Sequence, residues 1–257
     1  MAVRSLCCTR WRMPPAKDAK VQEGRHSPHP RGFDFAQGTA GGAALPWHTV
    51  WMLEIALAVT ALLVAWMVRP WRLLRGSLLS PTLASVALLP WFWLLPQKLP
   101  QGMAVQFSGA SLLVLMLGWP LAVPVLAVVA LAVWLLGQGD WQAALSQWVW
   151  VGLVPATLAL GIGWALRRWL PPNPFIYTLG RGFLGTALAI FASGVLYEGI
   201  HHLMGGVTMH EALVARWLMA WGDAFLTGLF AAVFVAFAPQ WLATWSDERY
   251  LRPPGGS

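Results

Sequence analysis

The sequence predicts an all-α integral membrane protein of about seven transmembrane helices. Two features of its composition point there. Hydrophobic residues make up 58% of the 257 positions while charged residues make up only 11%. A soluble domain usually carries about 25% charged residues to keep its surface wet, so the surplus apolar surface here must face lipid. The pattern agrees, because long apolar runs alternate with short polar breaks from residue 47 to residue 245. Many of the 18 tryptophans stand at the ends of those runs, where an amphipathic ring prefers the headgroup layer. Trp47, Trp51, Trp66, Trp71, Trp164, Trp169, Trp241 and Trp245 are read as such anchors.

The net charge of +7 does not point to nucleic acid. Residues 1–46 carry seven Lys/Arg against Asp18, Glu23 and Asp34, so this tail alone supplies +4. The remaining cations fall in short breaks between apolar runs, as the positive-inside rule expects. The tail is rich in Pro, Gly, Arg and His and has no apolar face, so residues 1–46 are expected to be a disordered basic segment upstream of the membrane domain, with a start nearer Met52 as the alternative. Its two cysteines, Cys7 and Cys8, are adjacent and form neither a zinc-ligand spacing nor a disulfide framework.

The elements follow in order. Trp51–Val68 is the first span, with Glu54 its only charge and Arg69, Arg72 and Arg75 behind it. Leu78–Leu95 is the second, despite Pro81 and Pro90. Met103–Leu136 is 34 residues, about 51 Å as one helix against a hydrocarbon core of ~30 Å. Gly118-Trp-Pro120 is the natural break, giving passes Met103–Trp119 and Pro120–Leu136. Leu145–Leu166, Phe183–Met204 and Leu213–Phe237 complete the set, before a tail over residues 246–257. Gly185, Ala189 and Ser193 form a small-residue stripe suited to close helix packing.

Seven passes put the two ends of the domain on opposite sides. The breaks on the side of the C-terminus hold eight Lys/Arg, counting Arg167, Arg168 and Arg181, against two on the other side. The C-terminus is therefore expected in the cytoplasm.

Ionisable groups inside a span cost about 2.5–3.5 kcal/mol each, so each calls for a reason. Asp223 falls within the seventh span. Glu198, His201 and His202 end the sixth at helical spacings that share a face. His210 and Glu211 lie in the break between these two helices. One reading is a path for a divalent transition metal, since imidazole and carboxylate suit such ions; its residues are Asp223, Glu198, His201, His202 and His210. The other is structural, with Arg216 neutralising Glu198 or Glu211. Glu198-x-x-His201 is half of a di-iron carboxylate motif with no second half. No GxxxxGK[ST], HExxH or GxSxG is present, so the chain is not its own ATPase and no enzyme is expected.

Several stretches then carry a resemblance. Val105-Gln-Phe-Ser-Gly-Ala-Ser111, Leu117-Gly-Trp-Pro-Leu-Ala122, Gly139-Asp140 and Gly222-Asp-Ala-Phe-Leu-Thr-Gly228 occur in that order. They resemble the membrane component of cobalt/nickel-type energy-coupling-factor ABC transporters. Asn173-Pro-Phe-Ile-Tyr177, Gly180-Arg-Gly182 and Asp247-Glu-Arg-Tyr-Leu251 bring the likeness closer to a poorly characterised bacterial branch. The resemblance covers roughly residues 50–252. It implies a substrate-capture subunit in the bacterial inner membrane that works with a coupling membrane protein and cytoplasmic ATPase subunits. No covalent cofactor is implied, and a divalent transition metal would be the substrate. The family's chelating Met-His pair and loop histidine are not matched, because Met1-Ala2 opens this chain and Leu112-Leu113 follow Ser111. That ligand set is not carried over. The alternatives are a non-transporting multi-pass assembly or structural factor and a membrane metalloenzyme.

Overall fold

A computed structural model describes residues 47–69, 78–94, 97–98, 104–105, 107–137, 140–171, 173–202, 209–246 and 250. The basic tail expected over 1–46 lies outside the described residues, as does most of the tail expected over 246–257. What is described is an all-α membrane protein.

Seven helical stretches follow in the predicted order. They are α1 (Trp47–Met67), α2 (Leu79–Leu94), α3 (Ala110–Leu117), α4 (Trp119–Gly137), α5 (Trp141–Trp169), α6 (Ile176–Leu184 continuing as Gly185–His202) and α7 (Met209–Phe237). Five of them, α1 and α4 to α7, are long and apolar enough to cross a membrane. The 16-residue α2 is a shorter apolar helix. Between α2 and α3 a two-residue antiparallel pair forms, with Gln97 opposite Val105 and Lys98 opposite Ala104.

The two helices α1 and α7 pack with small side chains inside and large ones outside, while α3, α4 and the first half of α5 bury larger ones such as Leu117, Leu126 and Trp148. Ala58, Ala61 and Ala65 turn inward from α1, while Val59 and Leu63 face outward. Ala220, Ala224 and Ala231 do the same on α7, with Leu218 and Phe225 outward. Lipid removes the hydrophobic drive between helices, so close approach of backbones over small residues holds them together. The stripe Gly185, Ala189 and Ser193 is buried as the sequence predicts, and a side chain at Gly185 would press on Ile162 of α5.

Contacts between helix ends fix how the passes alternate. The Trp51 and Trp141 rings meet at 4.9 Å, and Gly137 lies against Leu94, so one end of the bundle holds the start of α1 and α5 and the close of α2 and α4. At the opposite end, the chain leaving α7 sends the Ala243 amide to the Met116 carbonyl at 2.8 Å. There Arg167 also donates to the Thr244 carbonyl at 2.9 Å. The polypeptide therefore passes seven times between the two ends, hereafter the first face and the C-terminal face. The third pass is only half helical.

Four expectations are corrected in detail. The third helix is Ala110–Leu117, about 12 Å long at ~1.5 Å per residue, because glycines bound it at both ends. Arg181 belongs to the wide first turns of α6 and is buried, so it is not a loop cation. His210 and Glu211 lie in the first turn of α7, which begins at Met209, not in a loop. Trp245 is buried and stacks on Tyr250 at 4.6 Å, so it is a packing residue and not an interfacial anchor.

Candidate functional site

The site begins with the break in the third pass. Gly109 sits at φ 66°, ψ −3° ahead of α3, a left-handed conformation that costs other L-residues roughly 1–2 kcal/mol, and Gly118 sits at φ 75°, ψ 157° behind it, a region essentially confined to glycine. A Cβ at Gly109 would also stand 2.7 Å from Leu89 Cδ1. Glycine is what lets the chain turn here against α2. The turn leaves backbone amides ahead of α3 without helical partners, at a depth where no water is available to take them.

Asp223 meets that need. It is the fifteenth of the 29 residues of α7, so it stands at the middle of the helix, four residues deeper than a start at Leu213 implies. Its two carboxylate oxygens accept the Ser108 amide at 3.2 and 3.1 Å, with the Gly109 amide also directed to it. A carboxylate at the amino end of a helix is favoured by the helix dipole as well. A buried carboxyl group thus secures the short helix α3, which begins near mid-depth and ends at the C-terminal face.

A second device completes the seam. Trp148–Leu153 of α5 forms wide, π-type turns, which dislocate the helical ladder and leave carbonyls for side chains. The Val151 carbonyl accepts the Ser108 hydroxyl, and the Trp150 carbonyl accepts the Ser193 hydroxyl at 2.7 Å. Trp93 of α2 donates to the Ser108 carbonyl at 3.1 Å. Ser108 is thereby held from α2, α5 and α7 at once. Close by in sequence, the Ser111 and Thr227 hydroxyls are buried and make no hydrogen bond. Thr227 follows Asp223 by one turn of α7 and Ser111 is the second residue of α3. A carboxyl group has more acceptor positions than these amides fill, so Asp223 retains acceptor capacity.

Toward the first face lies a separate network. Glu54 is buried and accepts from Ser146 Oγ at 2.8 Å and from Trp150 Nε1 at 2.7 Å. The Trp150 ring meets Tyr197 edge-on at 5.8 Å, and the Arg216 guanidinium lies 4.8 Å from the Tyr197 ring centre. Arg216 Nε donates to Glu198 Oε1 at 3.0 Å. The pairing of Glu198 with Arg216 matches the structural reading of the sequence. Its stem passes over Gly194, where a Cβ would stand 3.0 Å away.

Asp223 and Glu198 thus each have their own partner. His201 and His202 fall at the end of α6 and His210 at the start of α7; their side chains lie outside the described residues. Among the described residues, no three His, Cys, Asp or Glu side chains converge as a metal site. The sequence reading missed the hydrogen bonds of Ser108 and Ser193 and the clamp on Glu54. Only Glu54 had a visible signal, as the sole charge in its span. Serines in a membrane helix stand out only when a neighbour offers a free carbonyl.

A family model described as the cobalt uptake substrate-specific transmembrane region matches residues 46–241. No curated protein and no solved structure matches the chain.

Proposed function

This chain belongs to the family of the cobalt uptake substrate-specific transmembrane region, and on that premise we propose that it is the substrate-capture subunit of an energy-coupling-factor-type ABC transporter for a divalent transition metal ion. It works in the bacterial inner membrane with a coupling membrane protein and cytoplasmic ATPase subunits, its C-terminus on the cytoplasmic side. It is a transport component and not an enzyme. The Lys/Arg asymmetry supports the orientation. The lack of a phosphate-binding loop supports a separate energy source.

The observation that carries the reading is the half-helical third pass. Discontinuous helices that end at mid-depth, facing a polar group, are where transporters of other folds place cargo. Here the seam offers the Asp223 carboxyl group, and the Ser111 and Thr227 hydroxyls of the same two helices are buried without hydrogen-bond partners. Glu198, His201, His202 and His210 are the proposed approach from the first face. Carboxylate, hydroxyl and imidazole form an oxygen and nitrogen donor set that suits divalent first-row ions. The ion is the substrate, and no resident cofactor is proposed.

The deciding experiment is uptake of radioactive cobalt in cells carrying this protein with and without its coupling protein and ATPases. Uptake should require all components. Asp223→Asn keeps an acceptor oxygen for the Ser108 amide while removing the charge, so it should insert and fold yet lose uptake. Undiminished uptake in both Asp223→Asn and His201→Ala/His202→Ala would assign these groups to structure. Failure to co-purify with any ATPase would favour the non-transporting assembly factor.

A further inference from the structure

At the C-terminal face, three separated stretches of sequence converge on one cleft. Tyr177 and Arg181 come from the wide opening turns of α6, Arg167 from the end of α5, and Tyr250 from the chain beyond α7. The cleft has a volume of about 290 Å³ and its remaining wall is apolar, with Leu166, Leu170 and Ile176 among its residues. The aromatic side is rigid. Tyr177 bonds Thr244 at 2.7 Å, and Thr244 bonds the Leu115 carbonyl at 2.8 Å.

Arg181 is the group that asks for a ligand. It is 8% exposed, and although it donates a side-chain hydrogen bond to Tyr250, its Nε and Nη1 have no hydrogen-bond partner. Its guanidinium lies 5.9 Å from the centre of the Tyr177 ring. It also lies flat on Gly163, where a Cβ would stand 2.6 Å from Nε. The position is thus made by the absence of a side chain on α5. A buried cation without a counter-charge is strongly unfavourable. The acidic residues among the described residues, Glu54, Asp140, Glu198, Glu211 and Asp223, belong to the first face or to mid-depth.

We propose that this cleft binds the phosphate of an anionic phospholipid, held by Arg181 and Arg167, with the start of an acyl chain against Leu166, Leu170 and Ile176. The planar fork of arginine matches phosphate oxygens in pairs. Trp169, 79% exposed, closes α5 beside the cleft, which sets this level at the headgroup layer where tryptophan is favoured. A phosphate carried by a lipid is already present there, next to an apolar wall that a free anion would not use. The competing occupant is intramolecular, because Asp247 and Glu248 precede Tyr250 in the chain.

The test is native mass spectrometry of the full chain after controlled delipidation, offered phosphatidylglycerol or phosphatidylcholine. Each basic residue near a membrane surface contributes enough for roughly a fivefold preference for anionic lipid. The unaltered protein should retain phosphatidylglycerol by at least about that factor. Arg181→Gln should lose the preference and Arg168→Gln, a change at an exposed arginine outside the cleft, should keep it. Gly163→Ala preserves every charge but displaces the guanidinium, so it should weaken retention even if Arg181→Gln fails to fold. Equal retention of the two lipids by the unaltered protein would overturn the proposal. So would a preference that survives in Gly163→Ala and Arg167→Gln. Protection against thermal unfolding by millimolar inorganic phosphate, equal to that by phosphatidylglycerol, would make it a free-phosphate site. A gain of phosphatidylglycerol binding on Asp247→Asn/Glu248→Gln supports the lipid site, since it removes the rival anion. Loss of folding in that double variant, with no lipid response in the unaltered protein, would assign Arg181 to an internal ion pair.

Discussion

The third and fourth passes are neighbours in sequence and equally apolar, yet they cross by different means. The fourth, α4, runs unbroken from Trp119 to Gly137 with Pro124 inside it, where the missing proline N–H removes the helical donor of the Pro120 carbonyl alone. The third reaches the C-terminal face only through the eight residues of α3. The Ser108 amide and carbonyl ahead of it are met by Asp223 and Trp93, and the Ser108 hydroxyl by the Val151 carbonyl, all from other helices. The contrast teaches what a charge in a membrane helix can be for. Asp223 holds a backbone, whereas Glu54 and Glu198 hold side chains between continuous helices.

Breaking the third pass should therefore cost more than cutting any side-chain pair. Asp223→Leu removes the acceptor of a buried amide, and we expect a loss of about 3 kcal/mol, the upper end for an unsatisfied buried donor. Unfolding in mixed micelles measures it; Asp223→Asn, which keeps an oxygen, should recover most of the loss. If Asn is as damaging as Leu, the charge itself and not the acceptor stabilises α3.

Gly109→Ala comes next. The φ of 66° alone costs alanine about 1–2 kcal/mol, and Leu89 Cδ1 stands in the way. Adding Leu89→Ala should relieve the contact but not the strain, so the double variant should still melt below Leu89→Ala alone. At Gly118, φ 75° with no closer contact than 3.9 Å, alanine should show the strain without the collision.

Smaller effects belong to the continuous helices. Glu54→Leu orphans the Trp150 and Ser146 donors and should cost about 1–2 kcal/mol, with Glu54→Gln close to neutral. The shift of Trp150 fluorescence in these two variants reports whether the indole N–H has kept its partner. Glu198→Gln should fall below about 1 kcal/mol, because the pair with Arg216 is partly exposed and such pairs contribute little. A loss of more than that would mean Glu198 secures backbone as Asp223 does.

The sequence by itself determined the membrane class, the number and order of the passes, the break at Gly118 and the small-residue stripe of α6. Each of these follows from residue type and spacing along one helix, because lipid sorts apolar from polar side chains locally. It also singled out Asp223 as a charge needing a reason, and named Arg216 as a candidate partner for Glu198, since both lie on one hairpin. What only the tertiary structure decided involves groups far apart in the chain. Ser108 and Asp223 are 115 positions apart, and nothing in either stretch marks the other. Arg181 looked like a loop cation until the wide turns of α6 and the bare face of Gly163 drew it inside. Trp245 looked like an anchor until Tyr177 and Tyr250 enclosed it. Backbone groups freed by a glycine or a π-type turn leave no periodic trace, because their partners are chosen by the packing of helices and not by spacing within one.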